Sequence, residues 1–143
     1  MVTSLILLAA CILLFLSFIH IYWALGGGWG KNAALPIKAD GTTRAFTPSA
    51  AGTWVVALVL FLLGLVLLTQ SGHLTILRAN KVTKMICLLF SLLFFLRAIG
   101  DFHYVGFFKK VKGTIFARND TWMYSPLCVF LSLSFVISYA NQS

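Results

Sequence analysis

One fifteen-residue segment, 96–110, contains side chains that could bind or react with a polar ligand. A long apolar run gives way there to an arginine, an aspartate, a histidine and two lysines: Arg97, Asp101, His103, Lys109 and Lys110. Guanidinium and ammonium groups bind phosphate or carboxylate, while aspartate and histidine can orient a polar group or move a proton. The segment therefore predicts a site for an anionic molecule, although these residue types define neither a reaction nor a catalytic residue.

The composition of the chain places this segment in a membrane protein. Of 143 residues, 60% are hydrophobic and 10% are charged, whereas a soluble domain carries roughly 25% charged residues. We therefore predict an integral membrane protein with a single domain, 1–143. The formal net charge of +8 comes from cations in short segments between apolar runs. This placement suits lipid headgroups, and no nucleic-acid partner is expected.

Four apolar runs predict four transmembrane helices, at about 4–25, 48–69, 82–103 and 121–140. Roughly 20 helical residues cross a hydrocarbon core of about 30 Å. No lysine or arginine precedes the first run, which is also long for a signal peptide, so we expect it to remain as a span. Short connections between the runs predict an all-α, up-down bundle of four transmembrane helices.

Capping and breaking residues predict where these helices begin, end and bend. Thr47 is a suitable N-cap for the second helix, with Pro48 in its first turn, and Gly72 is a suitable C-terminal glycine. Pro126 is expected to bend the first turns of the fourth helix, because proline removes one backbone hydrogen bond.

Arg97 and Asp101 are four residues apart at the end of the third predicted helix. An arginine in hydrocarbon costs some 2.5 kcal/mol or more, and less when it is paired. Since residues four apart lie on one helical face, we expect an ion pair between Arg97 and Asp101. Two interpretations stay open, a local pair that lowers the cost of insertion and a pair that contacts a ligand.

An up-down topology brings four helix ends to one membrane face and gathers the polar and aromatic candidates there. We predict that Arg97 approaches an anionic headgroup from the membrane side and that loop cations cover it, with aromatic side chains at the mouth. The ligand-binding candidates are His20, Trp23, Trp54, Arg97, Asp101, His103, Tyr104, Lys109, Lys110, Arg118, Asp120, Trp122 and Tyr124.

The sequence predicts neither a metal site nor a cofactor. Cys11, Cys87 and Cys128 are single residues inside apolar runs, without a CxxC pair, and are expected to pack as small hydrophobic side chains. His20, Asp101 and His103 could meet only if the helix ends converge, and their spacing matches no recognised metal motif.

Three stretches of the chain resemble a family of small bacterial membrane proteins, DUF3995. They are residues 20–27 (HIYWALGG), residues 97–109 (RAIGDFHYVGFFK), and positions 114, 116, 117, 120, 121 and 124–128. The resemblance extends over nearly the whole chain. It implies four spans in a bacterial inner membrane and supplies no activity.

Three classes of function fit these observations. The first is a binding protein or an enzyme that acts on an anionic lipid or an isoprenoid-like amphiphile, with anionic membrane lipids as partners. The second is a structural subunit without catalytic activity, whose polar end contacts another membrane protein or a second copy of the chain. The third, a small transporter or channel, is disfavoured because the second span has no charge and no pair of broken helices is apparent.

The distribution of cations predicts the orientation in the membrane. The first and third loops contain seven lysines and arginines, whereas the second connection with its flanking helix start contains three. The positive-inside rule then places loops 1 and 3 in the cytoplasm and both termini outside. The two sets are Lys31, Lys38, Arg44, Lys109, Lys110, Lys112 and Arg118, and Arg78, Lys81 and Lys84.

Overall fold

The computed structural model describes residues 1–74 and 78–141, and the regular elements in these two ranges are helical. The elements are α1 Val2–Ala24, α2 Lys31–Ala34, α3 Ala50–Gln70, α4 Lys81–Ile99, α5 Ile115–Asn119, a π-helical turn Asp120–Tyr124, and α6 Ser125–Ala140. The predicted all-α class is confirmed.

Four helical segments are long and apolar enough to cross a membrane. They are α1, α3, α4 and the continuous segment Ile115–Ala140 of 26 residues. At 1.5 Å per residue this last segment is about 39 Å long, longer than a hydrocarbon core of about 30 Å. The predicted four-helix membrane bundle is therefore confirmed.

The bundle consists of two closely packed pairs, α1 with α3 and α4 with α6. Within the first pair, Gly64 lies against Leu14 and the Ala10 carbonyl, and the Ser17 hydroxyl donates a 2.7 Å hydrogen bond to the Ala57 carbonyl. Within the second, the rings of Phe94 and Phe135 stack at 5.8 Å. Few residues of α3 touch α4, so a groove remains between them on the outside of the bundle.

Helix α3 begins at a different cap from the predicted one. Ser49, rather than Thr47, is the N-cap, and its hydroxyl accepts the Gly52 N–H at 3.0 Å. The helix starts two residues later than predicted. Ser49 has the extended backbone of an N-cap, and its hydroxyl oxygen reaches an N–H group of the first turn. Gly72 follows the helix with φ +77°, which confirms the predicted terminal glycine.

Helix α4 ends at Ile99, four residues before its predicted end. Gly100 has φ +92° and ψ −171°, a conformation that L-amino acids avoid, and the chain then folds back on the helix. Gly106 lies against Ile99 and Gly100, and the Phe107 N–H donates to the Ala98 carbonyl at 2.9 Å. The segment 100–107 therefore packs under the end of the helix.

The last span begins at Ile115, and the predicted start near 121 is wrong. Thr114 caps its first turn by accepting the Ala117 N–H at 3.1 Å. The π-helical turn Asp120–Tyr124 then interrupts the regular helix just before Pro126. Proline lacks an N–H, so Pro126 cannot donate the usual hydrogen bond to the carbonyl four residues earlier. The irregularity that we predicted near Pro126 takes the form of this π-helical turn.

Candidate functional site

Asp120 is the centre of the charged groups at the polar end of the bundle. Its side chain is fully buried, and Oδ1 accepts a hydrogen bond from Arg97 Nη2 at 2.9 Å. Oδ2 accepts from Lys109 Nζ at 3.0 Å and from the Gly106 N–H at 2.7 Å. We call Arg97, Lys109 and Asp120 the Asp120 cluster. Two cations share one carboxylate, so the cluster has an excess positive charge.

The predicted ion pair between Arg97 and Asp101 is wrong. Asp101 lies beyond the end of α4, so the rule for residues one helical turn apart does not apply to it. Its Oδ1 instead accepts the backbone N–H groups of His103, Tyr104 and Val105, at 2.9, 2.8 and 2.9 Å. The partner of Arg97 belongs to the next span, 23 residues along the chain.

These three hydrogen bonds determine the ionisation of Asp101. Partial burial alone would raise the pKa of this carboxyl, but the backbone N–H groups of His103, Val105 and Tyr104 outweigh burial and lower it. Because the folded-state pKa lies below the unfolded value, the carboxylate stabilises this turn at neutral pH. That contribution is lost as the pH falls through the folded-state pKa.

Lys109 and Lys110 are adjacent in sequence but occupy different environments. The Lys109 side chain is 1% exposed, and its ammonium also donates to the Gly106 carbonyl at 2.8 Å and to Thr121 Oγ1 at 2.7 Å. Lys110 and Arg118 are exposed. Lys109 thus holds the third loop on the last span, while Lys110 and Arg118 remain on the surface.

Arg97 lines two adjoining spaces. The first, the Arg97 recess, has a volume of about 400 Å³ and lies under the first loop. The second, the α3–α4 groove, has a volume of about 250 Å³ and lies between the two helices. Val55 and Leu93 at its wall are exposed, so the groove opens on the outer surface of the bundle.

The walls of these two spaces differ in polarity. The Arg97 recess is lined by Ala34, Pro36, Ala45, Phe46, Arg97, Asp101, Tyr104, Val105 and Phe116. The α3–α4 groove is lined by Val55, Val56, Val59, Leu60, Leu63, Phe90, Leu93, Phe94 and Arg97. Among the described residues, Arg97 is the single charged one of the groove, and it lines both the groove and the recess.

The Arg97 guanidinium keeps hydrogen-bonding capacity. About a third of its side chain, 35%, is exposed, while Nη1 is buried and has no hydrogen-bond partner within 1–74 and 78–141. Because Arg97 lines two open spaces and part of its side chain is exposed, its guanidinium group is a candidate for contact with an anionic ligand.

A third space, the His20 cavity, lies where α1 ends and α3 begins. It has a volume of about 390 Å³, and it shares the wall residues Ala34 and Phe46 with the Arg97 recess. Its other wall residues are His20, Trp23, Ala24, Gly26, Lys31, Leu35, Pro48, Ala50, Gly52, Thr53 and Val56. The sequence grouped His20 and Trp23 with Arg97 in one site, whereas the structure distributes them over two spaces.

The remaining candidates lie around these spaces. Tyr104 lines the Arg97 recess, and the Tyr124 hydroxyl donates to the Ala33 carbonyl at 3.1 Å, which ties the last span to the first loop. Trp54 and Trp122 are 43% and 80% exposed, and neither lines the three spaces described above. His103 is exposed and packs edge-on against the Tyr104 ring.

Two groups that bind the Asp120 cluster are absent from the sequence-based candidates. They are the Gly106 N–H and the Thr121 hydroxyl, which bind Asp120 and Lys109 respectively. A backbone donor leaves no compositional signal. Among the residues that the structure describes, no group of three or more histidine, cysteine or acidic side chains could hold a metal ion.

Comparison with known proteins identifies the family of this chain. The model of DUF3995, described as a protein of unknown function, matches residues 13–135. The chain therefore belongs to this family, as its sequence motifs indicated. No curated protein and no solved structure matches it.

Proposed function

We propose that this member of DUF3995 binds an anionic amphiphile, such as an anionic lipid or an isoprenoid phosphate, at its polar end. The headgroup would contact Arg97, and the first part of the hydrocarbon chain would lie in the α3–α4 groove. One observation supports this proposal above all others. An apolar groove on the outside of a membrane bundle ends at Arg97, whose side chain is about a third exposed, 35%, and also lines the adjoining recess.

The charge of the Asp120 cluster favours an anion. Asp120 is fully buried and neutralises one of its two cationic partners, which leaves one positive charge without a counter-ion in the cluster. An uncompensated charge in a medium of low dielectric constant is costly, and a phosphate or carboxylate group offsets that cost. Arginine suits this contact because its planar fork can bind two oxygens of one headgroup.

The groove has the dimensions and polarity for a segment of a hydrocarbon chain. Phe90 and Arg97 both line it and are seven residues apart on α4, which corresponds to about 10 Å along the helix axis. The groove opens on the outer surface of the bundle, so the rest of a long chain would remain among the lipids. The groove therefore suits an amphiphile that lies against the surface of the bundle, and not a molecule enclosed within it.

Replacing Arg97 with glutamine should reduce the binding of anionic amphiphiles. A hydrogen bond to a charged group contributes about 1.5–3 kcal/mol, so we expect at least about a tenfold weaker affinity. The fold should tolerate the change because Asp120 keeps the Lys109 ammonium and the Gly106 N–H. The measurement is native mass spectrometry of the protein in nanodiscs, titrated with phosphatidylglycerol, undecaprenyl phosphate or neutral phosphatidylcholine.

Two further variants separate headgroup from chain binding. Arg118→Gln removes an exposed cation in the first turns of the last span, which lines neither the groove nor the recess, and should leave the affinity unchanged. Val59→Phe narrows the groove without altering its charge, and it should weaken the binding of long-chain ligands more than the binding of short-chain ligands. Equal affinities of the wild type, Arg97→Gln and Val59→Phe for these lipids would refute the proposal. That result would favour the alternative of a structural subunit that contacts a membrane-protein partner or a second copy of this chain.

We also propose that the protein lies in a bacterial inner membrane, with loops 1 and 3 in the cytoplasm and both termini outside. The count of seven cations against three supports this orientation. Lys109 is retained for its bonds inside the protein, yet six cations against three still favour the same side.

Fusion reporters test the orientation. Alkaline phosphatase folds only outside the cytoplasm, so a fusion after Asn141 should be active and an insertion after Gly41 should be inactive. A green fluorescent protein at the same two positions should give the opposite pattern. Activity at Gly41 together with inactivity at Asn141 would establish the inverted topology.

A further inference from the structure

We propose that the His20 cavity is a separate binding site for a small organic acid that has an apolar body and a hydroxyl group. This inference is independent of the amphiphile proposed for Arg97. The cavity volume of about 390 Å³ lies within the range of about 300–1,000 Å³ that is typical of small-molecule sites. Its walls come from the end of α1, the first loop and the start of α3.

The shape and apolar character of the cavity fit the body of such a ligand. Trp23, Phe46 and Val56 provide aromatic and aliphatic walls. The Trp23 ring is fixed, because its Nε1 donates a 2.7 Å hydrogen bond to the Trp29 carbonyl. Mostly apolar walls with a few polar groups are typical of sites that orient a small molecule.

Lys31 gives the cavity a preference for anions. The ion pairs within 1–74 and 78–141 are Arg97–Asp120 and Lys109–Asp120, so Lys31 has no carboxylate partner in that part of the chain. The acidic residue nearest in sequence, Asp40, binds the N–H groups of Thr42 and Thr43 in its own turn. Since no acidic residue lines the cavity, a carboxylate would be favoured and an amine disfavoured.

His20 supplies the second polar contact. Its Nδ1 lies 2.7 Å from the Leu16 carbonyl oxygen, which can only accept a hydrogen bond, so Nδ1 carries the hydrogen. In the neutral ring Nε2 is then a hydrogen-bond acceptor. The ring centroids of His20 and Trp23 lie 5.1 Å apart in an edge-to-face arrangement, which restricts the rotation of the imidazole. A hydroxyl group of the ligand can donate to Nε2 while its carboxylate contacts Lys31.

Calorimetric titration of the purified protein in detergent tests this assignment, with three probes that share a phenylalkyl body. We expect 3-phenyllactate to bind, 3-phenylpropanoate, which lacks the hydroxyl, to bind about three- to tenfold more weakly, and 2-phenylethylamine not to bind. Lys31→Met should weaken 3-phenyllactate at least about tenfold. His20→Phe should abolish the difference between the two acids. Lys38→Met, on the same loop but outside the cavity, and Arg97→Gln should bind like the wild type.

Several results would overturn the assignment. One is the absence of 3-phenyllactate binding to the wild type at millimolar concentration, and another is equal binding to the wild type and Lys31→Met. If His20→Phe does not fold, the wild type still tests the histidine contact. Equal affinity of the wild type for 3-phenyllactate and 3-phenylpropanoate would exclude that contact. Loss of binding in Arg97→Gln would show that the acids occupy the Arg97 recess. The amphiphile titrations are measured separately, so either proposal can fail while the other holds.

Discussion

Asp120→Ala should lower the free energy of unfolding by about 3–5 kcal/mol, which is the usual cost of leaving a buried charge without its partner. Asp120 is fully buried and neutralises part of the charge of Arg97 and Lys109. Without it, both cations and the Gly106 N–H lose their shared acceptor, and the Lys109 ammonium stays buried. Thermal unfolding in detergent, followed by circular dichroism, should show a large fall in melting temperature.

Asp101→Ala is the matched control for this prediction. Asp101 also accepts three hydrogen bonds, but it lies in an exposed turn, and no cationic side chain within 1–74 and 78–141 forms an ion pair with it. Its loss should resemble the loss of a helix cap, about 1–2 kcal/mol. Similar melting temperatures for Asp120→Ala and Asp101→Ala would contradict the central role of Asp120.

Double substitutions identify the partner of Arg97. Arg97→Gln should cost less in the Asp120→Ala background than in the wild type, because it then removes a cation that has already lost its acceptor. Its cost should be unchanged in the Asp101→Ala background. If the stability changes of Arg97→Gln and Asp120→Ala simply add, while those of Arg97→Gln and Asp101→Ala do not, the result would support the helical ion pair that the sequence suggested.

Gly100→Ala should destabilise the protein by about 3 kcal/mol or more and should also weaken the Asp120 cluster. A Cβ atom at Gly100 would overlap the carbonyl carbon and oxygen of Val105. These are backbone atoms, which cannot move aside as a flexible side chain can. Overpacking typically costs 1–3 kcal/mol, and the φ of +92° adds strain of about 1–3 kcal/mol. Relief of the overlap would move Gly106, whose N–H binds Asp120.

Gly113→Ala, in the same loop, is the control for Gly100→Ala. An added Cβ at Gly113 meets no atom within 4 Å, and its φ is not positive. We expect a change between zero and a stabilisation of about 1 kcal/mol, since alanine reduces the freedom of the unfolded chain. Wild-type stability of Gly100→Ala would show that the third loop does not fold back on α4 as described.

The sequence by itself determined the class of the protein, the number of spans and the end of the bundle that is polar. These properties depend on the length and the apolar composition of individual segments of the chain. Four runs of apolar residues each have to cross a core of about 30 Å, and alternating direction then places Arg97 and Asp120 at the same face. The motifs in the three stretches 20–27, 97–109 and 114–128 also indicated the family, which the match over residues 13–135 confirmed.

Helix ends were predicted less well, because competing local signals differ by little free energy. Ser49 and Thr47 are both good caps, and the conformation of Gly100 was not visible in a run that continues with Asp101 and Phe102. The predicted pair of Arg97 and Asp101 depended on that helix continuing. Once α4 stops at Ile99, the two side chains no longer lie on one helical face.

Only the tertiary structure decided which polar groups meet. Arg97 pairs with a carboxylate of the next span, Lys109 is buried while Lys110 is exposed, and the first loop divides the polar end into the His20 cavity and the Arg97 recess. The physical reason is that a charge in low dielectric takes the partner that chain folding brings within about 3 Å, however far apart they are in sequence. Sequence spacing predicts contacts along one helix, and the contacts that form this site join different spans.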